Sequence, residues 1–168
     1  TFRGHASEAV SPDGLDIRKI KQALGAEYVL VVKHHPFVKH PPVIPSDCVD
    51  FAKDVTDEMP IDELLCVSDV CISDYSSLVF EYSLFERPML FYAYDLEEYF
   101  DWRGFYYPYH ELAPGPVVRT NEEIIAYIQD VEHQFDRARV SRFREQFMSA
   151  CDGHATERIL RLVFGERR

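Results

Sequence analysis

The feature that most restricts how this chain can fold is the alternation of short apolar runs with helical stretches. Residues 28–32 (YVLVV), 70–73 (VCIS) and 89–92 (MLFY) are apolar segments of strand length. The first reads as a strand covered on both faces, since one open face would alternate with polar residues. Between them lie helical patterns. Residues 14–25 carry Leu15, Ile17, Ile20 and Leu24 near helical spacing and end at Gly25. Residues 60–67 (PIDELLCV) read as a short helix with Pro60 near its first turn. Residues 77–85 read as another, closed by Glu86-Arg87-Pro88. Residues 49–52 and Val117-Val118 are weaker strand candidates. Thr120 with Glu123 has capping-box spacing, and residues 131–164 are helical and charged, interrupted at CDGHA. Strands alternating with helices imply βαβ units, hence an α/β domain with a Rossmann-like parallel sheet flanked by helices. In such sheets ligands sit beyond the carboxyl ends of the strands. Two loops meet that condition, after Val32 and after Ile72.

Composition narrows the partners. The 168 residues are enough for one domain, assigned here to 1–168, and 46% hydrophobic with 14% aromatic residues supplies a core. A formal charge of −11 disfavours nucleic acid and anionic lipid, so a bound anion needs a local set of donors. No apolar run approaches the roughly 20 residues of a membrane span. The four cysteines, Cys48, Cys66, Cys71 and Cys151, lack CxxC spacing, which suits a reducing compartment and indicates neither zinc nor disulfides. Cys66 and Cys71 lie in apolar runs and are expected to behave as small hydrophobes.

The first loop, KHHPF at residues 33–37, leaves the strand extended because Pro36 disfavours helix at His35. An imidazole there is either a solvated loop side chain or a donor to a phosphate oxygen. The second loop is SDYSS at residues 73–77. Ser76 or Ser77 ahead of an apolar helical pattern is an N-cap or part of an anion site, since free amides and the helix dipole serve both. Glu81, four residues after Ser77, falls on the same helix face, where a carboxylate can accept both hydroxyls of a ribose. Asp74 reads as a brace of the loop. Asp74 and Glu81 are too few to demand a metal, so no cofactor is called for, although Mg²⁺ binds through few protein ligands. Residues 103–116 (RGFYYPYHELAPGP) join Arg103 to Phe105, Tyr106, Tyr107 and Tyr109, as a core corner or a lid. His110 and Glu111 are adjacent and point apart, and CDGHATERI reads as a helix end at Asp152-Gly153 followed by a new helix start.

These stretches in order resemble one family, the CDP-glycerol glycerophosphotransferases of teichoic acid synthesis. The resemblance rests on TFR at 1–3, His35-Pro36, SDYSSLVFEY at 73–82, RPMLFYAYDLEEY at 87–99, RGFYYPYHELAPGP at 103–116 and CDGHATERI at 151–159. It implies the C-terminal, donor-binding half of a GT-B fold, a fragment of a longer two-domain enzyme. It further implies that His35 contacts the pyrophosphate of CDP-glycerol as the catalytic group of this half, with Lys33, Ser76, Ser77, Glu81 and Arg103 binding substrate. Glu81 stands where the family usually has Asp, and Lys33-His34 where it usually has an arginine and an apolar residue. The implied partners are CDP-glycerol, a teichoic acid or lipid-linked acceptor and the N-terminal half, which supplies the base. The chain alone is therefore expected to be inactive. The implied location is cytoplasmic, peripheral at the inner face of the membrane. CDP-ribitol or a nucleotide sugar as donor, or a non-catalytic nucleotide-binding module, are the alternatives.

Overall fold

In the computed structural model, which describes residues 14–38 and 43–165 apart from the Arg103 side chain, two parallel ladders carry the fold. Strand β1 (Leu30–Val32) pairs with β2 (Ala52–Asp54), and β4 (Met89–Tyr92) lies between β3 (Cys71–Ser73) and β5 (Val117–Val118). The two ladders share a core rather than a hydrogen-bonded seam. Leu30 of β1 and Ile72 of β3 pack on the same cluster, which holds Ala52, Leu90 and Val118.

The alternation of β4 shows how the layers form. Leu90 joins the cluster that contains Ile20 and Leu24 of α1 (Ile17–Leu24) and Ile124 and Ile128 of α6 (Asn121–Gln129). Met89 and Phe91 join the opposite cluster. There they meet Val79 and Tyr82 of α3 (Leu78–Tyr82) and Val140 and Phe143 of α8 (Arg137–Met148). Successive strand side chains point to opposite faces, so a fully apolar strand needs a helix layer on each side. Met89, Leu90 and Phe91 are at most 2% exposed, as a central strand requires. The expectation for β1 is corrected: Val29 and Val31 are exposed at 75% and 41%, so this strand has one open face.

Local signals set most boundaries. Asp16 caps α1 by accepting from the Lys19 N–H at 3.0 Å, and Gly25 closes it. The capping box of α6 is complete: the Thr120 hydroxyl accepts from the Glu123 N–H, and Glu123 accepts from the Thr120 N–H. Such a cap contributes about 1 kcal/mol. Helix α2 (Ile61–Val67) starts behind Pro60. After α3 the chain tightens into a 3₁₀ turn at Ser83–Phe85 and stops at Glu86, whose φ of 50° is left-handed. Glu86 is held there by Arg137, Ser141 and Arg144 of α8.

Several boundaries differ from expectation. The second strand lies at 52–54 rather than 49–52, because a 3₁₀ turn at Ser46–Cys48 uses the preceding residues. Cys66 is exposed, whereas Cys48 and Cys71 are buried; all four cysteines are free thiols. Burial pushes the Cys71 thiol up to about 12. Helix α4 (Leu96–Arg103) runs to Gly104, whose φ of 68° ends it, and α5 (Tyr109–Leu112) occupies part of the expected loop. Helix α7 (Val131–Gln134) precedes α8, which ends four residues before Asp152. There Asp152 accepts from the His154 N–H and pairs with Arg158 of α9 (Ala155–Phe164). No described helix is long and apolar enough to cross a membrane.

Candidate functional site at the strand ends

The loops that follow β1 and β3, which belong to separate ladders, are linked electrostatically. The Asp74 carboxylate acts electrostatically on the His35 imidazole, favouring its charged form, while partial burial does more to lower its pKa. This link joins the two loops singled out in the sequence. Ser76 and Ser77 follow Asp74 on the same loop, after Tyr75.

The loop after β1 uses its three polar residues differently. Lys33 is turned to the sheet edge: its ammonium donates to the Thr56 and Met59 carbonyls at 2.7 and 2.8 Å. The His34 N–H donates to the Thr56 hydroxyl, and its imidazole, 11% exposed, lies 3.6 Å from Asp54. Burial lowers the His34 pKa, and Asp54 opposes it. His35 is exposed. Its Nδ1 accepts the Phe37 N–H at 3.1 Å, its carbonyl accepts the Val38 N–H at 2.9 Å, and the Phe37 ring meets it edge-on at 4.9 Å. Residues 33 and 34 therefore anchor the loop, and residue 35 is presented by a tight turn at Pro36.

The loop after β3 is braced by aromatic side chains. Tyr109 donates from its hydroxyl to the Asp74 carbonyl at 2.7 Å, and Tyr75 donates to Asp95 beyond β4 at 2.9 Å. The Tyr75 ring stacks on Tyr99 at 3.9 Å and contacts Phe105 and Tyr109. Hence the aromatic stretch 103–116 acts in part as a core corner behind the loop. Tyr106 stands fully exposed and Tyr107 half exposed beside it. Gly115 is needed in this packing, since a Cβ there would lie 2.0 Å from the Met89 carbonyl oxygen.

The hydroxyls differ from a simple cap. Ser77 occupies the N-cap position of α3 but with helical φ and ψ and no side-chain cap bond, while Ser76 Oγ accepts from the Leu78 N–H at 3.3 Å. Helix α3 is only five residues long, so its dipole is small and a bound anion would depend on nearby N–H and O–H donors. Glu81 is exposed in the same short helix. The Arg103 side chain and the TFR segment lie outside the described residues. Among the described residues no cluster of three or more His, Cys, Asp or Glu is arranged to hold a metal ion. Sequence reasoning missed Tyr75, Asp95 and Tyr99 as braces; the one available signal was an aromatic next to each acid.

An imidazole after one strand, and an acid and two hydroxyls after another, thus lie beyond carboxyl strand ends, where doubly wound folds hold phosphates. Residues 1–165 match the family model described as CDP-Glycerol:Poly(glycerophosphate) glycerophosphotransferase. The chain belongs to that family. It is 37% identical over 167 residues to the teichoic acid poly(ribitol-phosphate) polymerase of Bacillus spizizenii, covering 98% of this chain and 27% of that protein. It is also 37% identical to the teichoic acid glycerol-phosphate transferase of Staphylococcus aureus, covering 89% of this chain and 38% of that one. The wall teichoic acid polymerase TagF superposes with a TM-score of 0.77 at 29% identity, over 97% of this chain and 40% of TagF. The chain thus spans well under half the length of the family members it matches.

Proposed function

We propose that this chain is the donor-binding region of a polyol-phosphate transferase that takes CDP-glycerol. The observation that supports the reading is the electrostatic link between His35 and Asp74, on loops beyond the carboxyl ends of β1 and β3, with Ser76 and Ser77 on the same loop as Asp74. In this reading His35 and the two hydroxyls donate to the pyrophosphate, and Glu81 accepts from the ribose. Lys33 acts through the loop it anchors, and Arg103 adds charge at the rim. An acceptor hydroxyl attacks the phosphorus that bears glycerol. The bond from that phosphorus to the bridging oxygen breaks, CMP leaves with the electron pair, and a phosphodiester forms. The proton of the attacking hydroxyl passes to a base outside this chain, in the remainder of a two-domain enzyme. Chemistry of this kind depends on positioning and on neutralising charge as it develops. The acceptor is a teichoic acid chain or its lipid-linked primer, which sets the work at the inner face of the membrane.

A second reading, CDP-ribitol as donor, is favoured by the equal 37% identity to ribitol-phosphate and glycerol-phosphate enzymes. Calorimetric titration of the full-length protein with CDP-glycerol, CDP-ribitol, CMP and a UDP-sugar separates the cases. Binding of cytidine ligands alone supports the donor site, and the tighter of the two CDP-polyols names the substrate. No heat with any cytidine ligand would falsify the donor site.

A further inference from the structure

We propose that the turn over residues 35–38 fixes His35 as a neutral donor, with its proton on Nε2 and its Nδ1 filled by the Phe37 N–H. The catalytic meaning of this assignment rests on the donor-site reading; the tautomer itself does not. The His35 carbonyl accepts from the Val38 N–H at 2.9 Å, which closes a β-turn. Pro36 holds the second position of that turn, the place its fixed φ suits. Within the turn the Phe37 N–H donates to Nδ1 at 3.1 Å, the residue i to i+2 bond that Asn and Asp side chains make in Asx turns. A ring nitrogen that accepts an N–H carries no hydrogen of its own, so the one proton of the neutral ring sits on Nε2. The edge contact with the Phe37 ring sets the ring plane, and with it the direction of the Nε2–H bond.

Two consequences follow for the chemistry. A second proton on the ring would have to enter at Nδ1 and face the Phe37 N–H, so the imidazolium forfeits a hydrogen bond. The Asp74 carboxylate, on the β3 loop, favours the imidazolium. Burial of part of the ring, the larger influence, works with the turn in the opposite direction. Secondly, a base acting through Nε2 needs a lone pair there, which exists only in the tautomer the turn excludes. His35 is therefore suited to donate to a phosphoryl oxygen that gains charge when CMP departs, and unsuited to take the proton of the acceptor hydroxyl. Phe37 is a positioning residue through its backbone.

The first test is spectroscopic. Long-range proton–nitrogen correlation of the intact polypeptide at neutral pH, with His35 assigned by comparison with His35→Gln, reports which nitrogen is protonated. A neutral ring protonated at Nε2 is the expected result; Nδ1–H or an imidazolium overturns the proposal. The second test is turnover by the full-length enzyme. Gln carries an N–H near the Nε2 position, whereas Asn reaches only to Nδ1. His35→Ala and His35→Asn are expected to lose roughly 10²–10³-fold in kcat, as for removal of one oxyanion donor. His35→Gln is expected to recover most of that loss. A Gln variant as slow as Ala overturns the donor role. If wild-type protein binds neither CDP-glycerol nor CDP-ribitol, the donor-site reading fails and takes the catalytic role with it. The spectrum still decides the tautomer.

Discussion

The two loops at the carboxyl ends of β1 and β3 are held in opposite ways. The loop after β3 is fastened from outside, by Tyr109 on the Asp74 carbonyl and by Tyr75 on Asp95. In the loop after β1, Lys33 and His34 reach to the neighbouring strand's loop, whereas His35 is aimed by a bond within its own turn. The difference teaches that adjacent residues with similar chemistry can have separate tasks. Two polar side chains fix the backbone so that the third can be offered to solvent without wandering.

Four substitutions and one change of condition test that contrast. The largest effect is expected at Gly115, behind the braced loop. Gly115→Ala would drive a methyl into the Met89 carbonyl, so a loss of about 3 kcal/mol in chemical denaturation is expected. Stability close to wild type would mean that the 113–116 segment does not press on β4. Next is Lys33→Met, which strands two carbonyls and should cost about 1–3 kcal/mol. Should this variant stay stable while losing nucleotide affinity, Lys33 is a ligand rather than an anchor, and the contrast breaks. Tyr109→Phe removes the hydroxyl bond to the Asp74 carbonyl and should cost about 1 kcal/mol. By contrast His35→Ala, at an exposed site, should stay within about 0.5 kcal/mol of wild type. Comparable losses from the two would erase the distinction between brace and presented group.

The smallest effect is a pH dependence. Burial holds the His34 pKa below its ordinary value, so the unfolded chain binds a proton more readily than the folded one. Stability from this residue is complete above the ordinary histidine range and falls as pH drops through that range towards the folded pKa. The Asp54 carboxyl also titrates low in the folded protein, and its contribution is lost further into acid. A urea midpoint measured between neutral and mildly acidic pH should therefore fall, and fall less in His34→Gln. Equal slopes in the two proteins would show that the His34–Asp54 contact is open to water.

The order of elements was legible because it depends on periodicity and on local chemistry. The capping box at Thr120 and Glu123, the stop at Glu86-Arg87-Pro88 and the apolar run of β4 are each decided by neighbours in sequence. Two loops at carboxyl strand ends followed from that order. The division of labour within each loop was not legible. Lys33, His34 and His35 are equally polar, and nothing local says which meets Thr56 and Asp54. Ser77 likewise had the composition of a cap, but the chain there is already helical, and Ser76 accepts the bond instead.

By itself the sequence determined a parallel α/β layering, several of its helix ends and the family to which the chain belongs. The reason is that caps, turns and hydrophobic period act over a few residues and leave their mark in the order of letters. Only the tertiary structure decided that Tyr75, Asp95 and Tyr109 brace one loop and that His35 on the other comes within electrostatic reach of Asp74. Those pairings join residues 20 to 39 positions apart, where packing of the whole core, rather than local preference, sets the distance.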